Sequence, residues 1–332
     1  MSISIIKPGL LDTIQDLGRY GYGSLGINCG GAMDRYAAQL ANMLVGNHVQ
    51  EAVMEIHFPG PQILFEQNAL ISITGANFAP SLNDETLPLW QPILIRKNTI
   101  LHFPKLEWGA RCYIAIHGGF CVEEWLNSYS TNLKAGAGGY GGRKLEKGDE
   151  LVSKESTIYF PGLMKPGKDV HPLKWRADVA GVYQLPNEIH IIEGNEMEAL
   201  TTSSADEFLQ SNFTIHPFSD RMGYRLKGPG LRFKHATELV STGVSFGTIQ
   251  LLPDGELIIL MADHQTTGGY PRLGHVITAH LPKLAQLRPS DCVQFSKTTI
   301  EKAEELFFAQ QKELCILQTA CAEHLNELVC KQ

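Results

Sequence analysis

The first fifty residues contain one segment whose apolar side chains recur at the spacing of a helix. Between Asp34 and Val45, the apolar positions on one helical face are Ala37, Leu40, Ala41 and Leu44. Asp34 is a favourable N-cap, because its carboxylate accepts hydrogen bonds from backbone N–H groups. Gly46-Asn47 suits a helix end. The pattern therefore predicts a helix over residues 34–45.

Short apolar runs separated by glycine and proline dominate most of the remaining chain. Such runs between turn residues are typical of strands. The clearest are residues 63–65, 70–73, 93–95, 112–116, 189–192, 239–244 and 257–261. The 32 glycines and 17 prolines interrupt the chain too often for a helical bundle. We therefore expect a mainly β protein.

The last segment has a different periodicity. Apolar residues recur every seven positions, at Ile300, Phe307, Leu314, Cys321 and Leu328. Thr298 and Glu301 resemble a capping box in front of them. The pattern predicts one amphipathic helix of about thirty residues. Two interpretations stay open: the helix packs on its own domain, or it docks a partner or a second copy.

Composition limits the domain count and the possible partners. A length of 332 residues allows two to three domains. The glycine- and proline-rich stretch 161–188 is the best boundary, so we expect domains at 1–175, 185–297 and 298–332. A net charge of −7 argues against a broad nucleic-acid surface. The seven cysteines include no CxxC pair, and no apolar run approaches the roughly 20 residues of a membrane span. We expect a cytoplasmic protein with reduced thiols and no membrane association.

The densest polar cluster follows the apolar run 257–260. Its members are Asp263, His264, Gln265, Thr266, Thr267, Gly268, Gly269 and Tyr270. A strand that delivers hydroxyls, an amide and a carboxylate into a Gly-Gly turn is typical of a binding loop. The alternative is a polar turn whose side chains cap one another.

Two further segments carry arginine. Ser219–Arg225 places an acid beside two arginines, which indicates either a surface ion pair or an anion-binding arginine held by its acid. The glycine-rich segment ending in Arg143 is either a backbone anion nest or a flap over a pocket. It contains no P-loop motif, and the dinucleotide fingerprint fails. The histidine spacing predicts no zinc site.

Motifs in chain order together resemble those of one family. They are residues 15–19, 31–34, 41–47, 138–143, 148–149, 219–223, 225–226, 238–241, 247–250, 253–255, 263 and 265–271. This set resembles the family of the 5-oxoprolinase C subunit, also called KipI antagonist or allophanate hydrolase subunit 2-like. That family corresponds to half of the carboxyltransferase region of urea carboxylase. The resemblance covers about residues 3–296.

Several positions depart from the family pattern. Gly31 stands where the family usually has serine. His190 and Gly194-Asn195 replace an arginine and a Gly-Pro pair, and His280 and Ser290 replace an acidic residue and a glycine. No serine hydroxyl role at Gly31 and no arginine role at His190 are therefore carried over from the family.

The resemblance implies a fold of two tandem cyclophilin-like β-barrel domains. It also implies two partners, one KipI-like and one LamB/YcsF-like subunit. Together the three chains would cleave 5-oxo-L-proline to L-glutamate with ATP and Mg²⁺. Because amide resonance protects a lactam carbonyl, phosphorylation of the lactam oxygen would activate it towards water.

Site roles follow from the same resemblance. We expect catalysis to involve Asp263, Asp34 and Arg221, with either aspartate holding Mg²⁺ or orienting the nucleophile. Phosphate would be bound by Gly138, Gly139, Arg143 and Arg221. The polar substrate would be bound by Gln250, Glu238 and the cluster Gln265, Thr266, Thr267, Gly268, Gly269 and Tyr270.

Two other functions compete with this one. The chain could belong to a biotin-dependent carboxyltransferase that acts with carboxybiotin, carried by a partner protein, on a urea-like amide. It could also be a non-catalytic regulator that binds a KipI-like inhibitor. The identity of the partners and of the substrate separates the three.

Overall fold

The computed structural model describes residues 2–83, 85–154, 164, 166–183, 188–235 and 239–330, without the side chains of residues 329 and 330. Contacts group the chain into two compact units. Unit one comprises Met1–Arg19, Asp34–Asp178 and Lys312–Gln332, and unit two comprises Tyr20–Met33 and Val179–Gln311. Both units are discontinuous in sequence, whereas the predicted domains 1–175, 185–297 and 298–332 are continuous.

Unit one contains two six-stranded sheets, with strands numbered in chain order. The first sheet has the order β11 (Glu150–Val152), β1 (Ser2–Lys7), β4 (Gln62–Phe65), β9 (Thr99–His102), β6 (Ser81–Leu82) and β7 (Glu85–Thr86). The second has the order β12 (Val170–Pro172), β8 (Pro92–Ile95), β5 (Ala69–Asn77), β10 (Trp108–Ile116), β3 (Val53–His57) and β2 (Thr13–Gln15). Alternate side chains from both sheets share one hydrophobic core.

Helix α1 (Arg35–Leu44) covers the other face of the second sheet. Two strand hydroxyls bind its backbone: Ser72 Oγ donates to Ala41 O at 2.6 Å and Thr74 Oγ1 donates to Ala37 O at 2.8 Å. Eight of its ten residues are buried, which explains the apolar periodicity. The predicted helix over 34–45 is confirmed.

Unit two is built on a closed seven-stranded barrel. Its order is β13 (Glu188–Glu193), β20 (Arg272–Val276), β17 (Thr248–Leu251), β18 (Leu257–Leu260), β15 (Gly223–Lys227), β14 (Phe213–Ile215) and β21 (Cys292–Lys297). The parallel pair of β13 and β21 closes it. A separate small ladder joins β16 (Thr242–Gly243) to β19 (Thr267–Gly268). The described helices here are α2 (Ala180–Tyr183), α3 (Thr202–Gln210) and α4 (Leu281–Ala285).

The C-terminal helix α5 spans Ile300–Cys330, which is 31 residues. Its cap lies one residue later than predicted, because Thr299 Oγ1, and not Thr298, accepts from the N–H of Lys302 at 3.3 Å. Leu314 and Cys321 of the seven-residue repeat are each 3% exposed. This burial favours packing of that stretch within unit one.

The mainly β fold with few helices and a long C-terminal helix is confirmed. None of the helices in the described part of the chain combines the length and the apolarity that crossing a bilayer requires.

Candidate functional site

The candidate site lies on the outer face of the barrel in unit two. Alternate residues of β15, β17 and β18 point into the barrel core, among them Leu226, Ile249 and Ile259. Their neighbours therefore point outward. In the strand register, Ile258 is opposite both Arg225 on β15 and Gln250 on β17. Antiparallel pairing thus creates an outward row across three strands.

A cleft of about 310 Å³ opens over this row. Its walls come from the β17–β18 turn and from the polar segment after β18. The lining residues are Arg225, Gln250, Leu252, Pro253, Asp254, Ile258, Leu260, Gln265 and Tyr270. An apolar floor with a few polar groups at its edge is typical of a site for a small polar molecule.

Gln250 is the most unusual residue of the cleft. Its side chain is fully buried, and its Nε2 donates to Tyr270 O at 3.2 Å. Its Oε1 has no hydrogen-bond partner in the described structure. Leaving a buried acceptor without a donor costs about 1–3 kcal/mol. Because this oxygen has almost no exposed surface, an N–H group of a bound molecule would satisfy it only after the side chain turns towards the cleft.

Gly268 lets the chain pass over this amide. A Cβ at that position would lie 2.7 Å from Nε2 of Gln250. Two predicted binding residues, Thr267 and Gly268, form β19 and pair with β16. Thr266 contributes its carbonyl, which accepts from Val244 N at 3.1 Å. These positions hold the wall of the cleft through their backbone.

The predicted substrate-binding residues are therefore brought together only in part. Gln250, Gln265 and Tyr270 line one cleft. Gly269 lies beside Ser241, whose Oγ would be 3.2 Å from a Cβ at that glycine. Glu238 lies outside the described residues.

Arg221 and Asp263 form a forked ion pair at the ends of neighbouring strands. Nε of Arg221 donates to Oδ2 at 2.8 Å and Nη2 donates to Oδ1 at 2.9 Å. The two side chains are 6% and 19% exposed. Nη2 also donates to Gly31 O at 2.7 Å, so the position where the family has serine contributes a backbone carbonyl. Pairing of β15 with β18 brings the two residues together.

The acid that holds Arg221 is thus Asp263 and not its neighbour in sequence. Asp220 Oδ1 accepts from the N–H groups of Met222 and Gly223, at 2.8 and 3.2 Å. Asp220 therefore stabilises the turn before β15. The Arg221–Asp263 pair is partly buried, bidentate and charge-assisted, which makes it stronger than a surface ion pair.

Asp34 belongs to unit one and is fully buried. Its Oδ1 accepts from Ala37 N at 2.9 Å, and its N–H donates to Tyr113 Oη at 2.8 Å. Tyr113 Oη in turn donates to Glu55 at 2.7 Å. Burial, with the Glu55 charge second, raises the pKa of Tyr113 well above its ordinary value. Asp34 caps α1, and its catalytic role stays a prediction.

The glycine-rich segment of unit one is folded tightly on itself. Gly138 and Gly139 have φ of 72° and 62°, and a Cβ on either would collide with Ser130 or Thr131. Both terminal nitrogens of Arg143 donate to Asp149, at 2.7 and 2.8 Å. These bonds raise the pKa of Arg143 and hold the pKa of Asp149 below its usual range.

Mg²⁺ and phosphate fit poorly at the predicted residues. Both carboxylate oxygens of Asp263 are occupied by a guanidinium, whose charge disfavours a second cation. Within the described ranges, no group of three or more His, Cys, Asp or Glu is placed to hold a metal. Arg143 and Arg221 each have a carboxylate where a phosphate would bind. Phosphate binding by Gly138, Gly139, Arg143 and Arg221 stays a prediction.

Two residues that depart from the family pattern, His190 and His280, are in contact in unit two. The rings of His190 and His280 are 4.6 Å apart, and His280 Nδ1 accepts from the N–H of His190 at 3.0 Å. Burial, followed by the nearby His190, lowers the pKa of His280 to about 4. Neither residue lines the cleft.

The sequence analysis does not predict that Arg225 and the turn residues Leu252 and Asp254 line the cleft. Proximity in the chain groups Arg225 with Asp220 and Arg221. The signal that separates them is the alternation in β15, where buried and exposed residues follow each other from Tyr224 to Lys227. An exposed arginine between two core residues lies on the outer face of the barrel.

Comparison with known proteins adds the family. Residues 25–297 match the family described as Carboxyltransferase domain, subdomain A and B. The chain is 34% identical over 294 residues to the 5-oxoprolinase C subunit of Haemophilus influenzae, covering 89% of this chain and 90% of that protein. It is 33% identical over 313 residues to the 5-oxoprolinase C subunit of Escherichia coli, covering 93% and 96%.

A solved structure is also similar. The K. lactis urea amidolyase superposes with a TM-score of 0.83 at 28% identity, covering 95% of this chain. The chain spans only 20% of that much longer protein. The motif resemblance is therefore confirmed, and the chain belongs to the carboxyltransferase subdomain A and B family, together with the C subunits of 5-oxoprolinases.

Proposed function

We propose that this chain is a subunit of an ATP-dependent 5-oxoprolinase, and that the cleft over β15, β17 and β18 binds the cyclic amide. The observation that carries the proposal is the buried, unpaired amide oxygen of Gln250 in the wall of that cleft. A lactam offers the N–H that this oxygen lacks. The similarity to two 5-oxoprolinase C subunits over nearly their whole length supports the same reaction.

The chain's own contribution is to bind and orient the lactam. Gln250 turns its side chain towards the cleft so that Oε1 accepts the ring N–H, and Ile258 and Leu260 contact the ring carbons from the floor. Gln265 and Tyr270 stand at the mouth, where they can donate to the lactam oxygen. The Arg221–Asp263 pair joins the start of β15 to the end of β18, and so fixes one end of the strand pair that carries the floor.

The ATP-dependent step needs phosphate-binding groups other than Arg143 and Arg221. ATP supplies the phosphoryl group that makes the lactam carbonyl reactive towards water. Because the fork of Arg143 and that of Arg221 are both occupied by carboxylates, we assign phosphate binding chiefly to the partner chains. The KipI-like and LamB/YcsF-like subunits remain the proposed partners.

Glutamate release tests the proposal. The chain is mixed with its two candidate partners, 5-oxoproline, ATP and Mg²⁺, and each component is then left out in turn. We expect glutamate in the complete mixture and none without this chain. Glutamate formed equally well without this chain would contradict the proposal. So would its absence when all three chains are folded and associated.

The second candidate is a role in a carboxyltransferase, which the similarity to urea amidolyase favours. The ureido ring of carboxybiotin also carries an N–H that fits Gln250. The matching assay adds a biotin carboxylase with its biotinylated carrier, ATP, bicarbonate and urea. Urea carboxylation that depends on this chain, without glutamate from 5-oxoproline, would select this function. Partner binding with neither product would select the regulator.

A further inference from the structure

The cleft has a second polar feature, an arginine that makes no ion pair among the described residues. Arg225 lines the cleft from β15. Its guanidinium has no salt bridge or side-chain hydrogen bond within the part of the chain that the structure describes; only its backbone carbonyl accepts, from His216 N and Ser219 Oγ. An exposed guanidinium beside an apolar floor is well placed to receive an anionic group.

The other arginines near these strands have partners. Arg272 on β20 lies opposite Gln250 on β17. It forms a salt bridge with Glu196, with Nη2 and Oε1 3.0 Å apart. Burial raises the pKa of Glu196, but hydrogen bonds from Arg272 outweigh this effect and hold that pKa below its ordinary value. Arg221 is held by Asp263. Arg225 is therefore the cleft arginine left for a ligand among the described residues of these strands.

The spacing of the two polar groups fits one small molecule. Arg225 and Gln250 flank the same residue, Ile258. Neighbouring strands are about 4.8 Å apart, so the Cα atoms of Arg225 and Gln250, which are two strands apart, are separated by about 10 Å. Side chains stand roughly perpendicular to a sheet, so the guanidinium and the amide face the same cleft from its two sides. A five- or six-membered ring with an anionic substituent next to its N–H is small enough to contact both.

We propose that Arg225 binds the carboxylate of the substrate and so selects carboxylate-bearing cyclic amides over neutral lactams and ureas. This inference rests on the proposed function, because it places the cyclic amide in the same cleft. The bound molecule spans the row, with its N–H on Gln250 Oε1 and its carboxylate on the guanidinium. A forked guanidinium–carboxylate contact gives both energy and orientation.

The negative charge of Asp254 weakens anion binding in this cleft but does not abolish it. Its carboxylate also lines the cleft, and its Oδ1 accepts from the N–H of Glu256 at 3.0 Å. It makes no salt bridge with Arg225 among the described residues. Because Asp254 is exposed, water and salt screen its charge.

The test compares two ligands and two variants of the full chain. Wild type, Arg225→Met and Lys227→Met are titrated calorimetrically with 5-oxoproline and with 2-pyrrolidone, which is the same ring without the carboxylate. Titrations use the chain alone and with its partners. Lys227 is the matched control, because it is an exposed cation two residues along the same strand and does not line the cleft.

We expect Arg225→Met to weaken 5-oxoproline binding by at least about ten-fold, since a hydrogen bond to a charged group is worth that much or more. Its effect on 2-pyrrolidone should stay within about two-fold, and Lys227→Met should change neither ligand. Equal losses for both ligands, an unchanged Arg225→Met, or no binding of 5-oxoproline to wild type would each overturn the inference.

Glutamate release separates this inference from the proposed function. If Arg225→Met leaves kcat/KM for 5-oxoproline unchanged while glutamate release still requires the chain, the inference fails and the proposed function stands. If no mixture releases glutamate, the proposed function fails. The two-ligand titration still decides whether Arg225 selects a carboxylate.

Discussion

At the scale of single residues, the Arg221–Asp263 pair shows how burial increases the contribution of an ion pair to stability. The pair sits under the ends of β15 and β18, with Arg221 almost fully covered. A guanidinium in that position depends on its partner, because an uncompensated buried charge is costly. Asp220, which precedes it in the chain, accepts from backbone N–H groups of its own turn and forms no ion pair among the described residues.

This contrast predicts different effects for two matched substitutions. Asp263→Asn removes the charge that compensates Arg221 and is expected to lower the free energy of unfolding by about 3 kcal/mol. Asp220→Asn keeps a side-chain oxygen that can accept from Met222 N and Gly223 N, so its effect should stay within about 0.5 kcal/mol. Denaturant titration of both variants measures the difference. Equal stability of the two would contradict the account of this pair.

Sequence reasoning at this scale recognises residue types better than partners. Asp263 and Gln265 stand out because polar groups follow an apolar strand, whereas Gln250 is named only through the family resemblance. The two glutamines line the cleft. Proximity in the chain points to the wrong acid for Arg221, because nothing in one sequence gives the pairing of β15 with β18. The capping role of Asp34 is visible, since N-caps depend on local spacing alone.

At the scale of elements, the glycine-rich segment of unit one is a packed turn. Gly142 N donates to Gly138 O at 2.8 Å, and a Cβ at Gly142 would collide with the backbone of Gly136 and Ala137. Gly141 has a similar backbone, with φ of 60° against 68°, but open space around it. The two neighbours therefore separate backbone strain from close packing.

The pair gives a second matched prediction. Gly141→Ala is expected to cost about 1 kcal/mol, because only the left-handed backbone opposes a side chain. Gly142→Ala adds a collision with backbone atoms and should cost about 2 kcal/mol more. The midpoint of thermal unfolding checks this order. Equal midpoints would show that the segment does not have this packing.

Elements with their own periodicity are predictable, and those that need a distant partner are not. The helix over 34–45 and the thirty-residue C-terminal helix follow from local spacing. The ladder of β16 and β19 is predicted only in part: the run 239–244 contains β16, but each strand has two residues and depends on the other. The cap of α5 lies at Thr299 and not at Thr298, because adjacent threonines offer equivalent caps.

At the scale of the whole molecule, function depends on what the barrel register places side by side. The row of Arg225, Ile258 and Gln250 comes from three strands. β17 and β18 form a hairpin, whereas β15 lies further back in the chain. The mainly β class is predictable from short apolar runs. The row is not, because strand pairing in unit two is set by tertiary packing. Family membership alone does not choose between the reactions of its members, so the proposed choice of molecule rests on the row.

The most direct test of the account is the effect of Gln250→Leu on affinity and stability. If Oε1 of Gln250 accepts from a lactam N–H, the change should lower kcat/KM for 5-oxoproline by at least about ten-fold in the complete mixture. The free energy of unfolding should change by no more than about 1 kcal/mol, because the substitution removes a buried, unpaired acceptor but also removes the hydrogen bond from Nε2 to Tyr270 O. A folded Gln250→Leu chain that keeps wild-type kcat/KM would contradict the central claim that this cleft binds the cyclic amide.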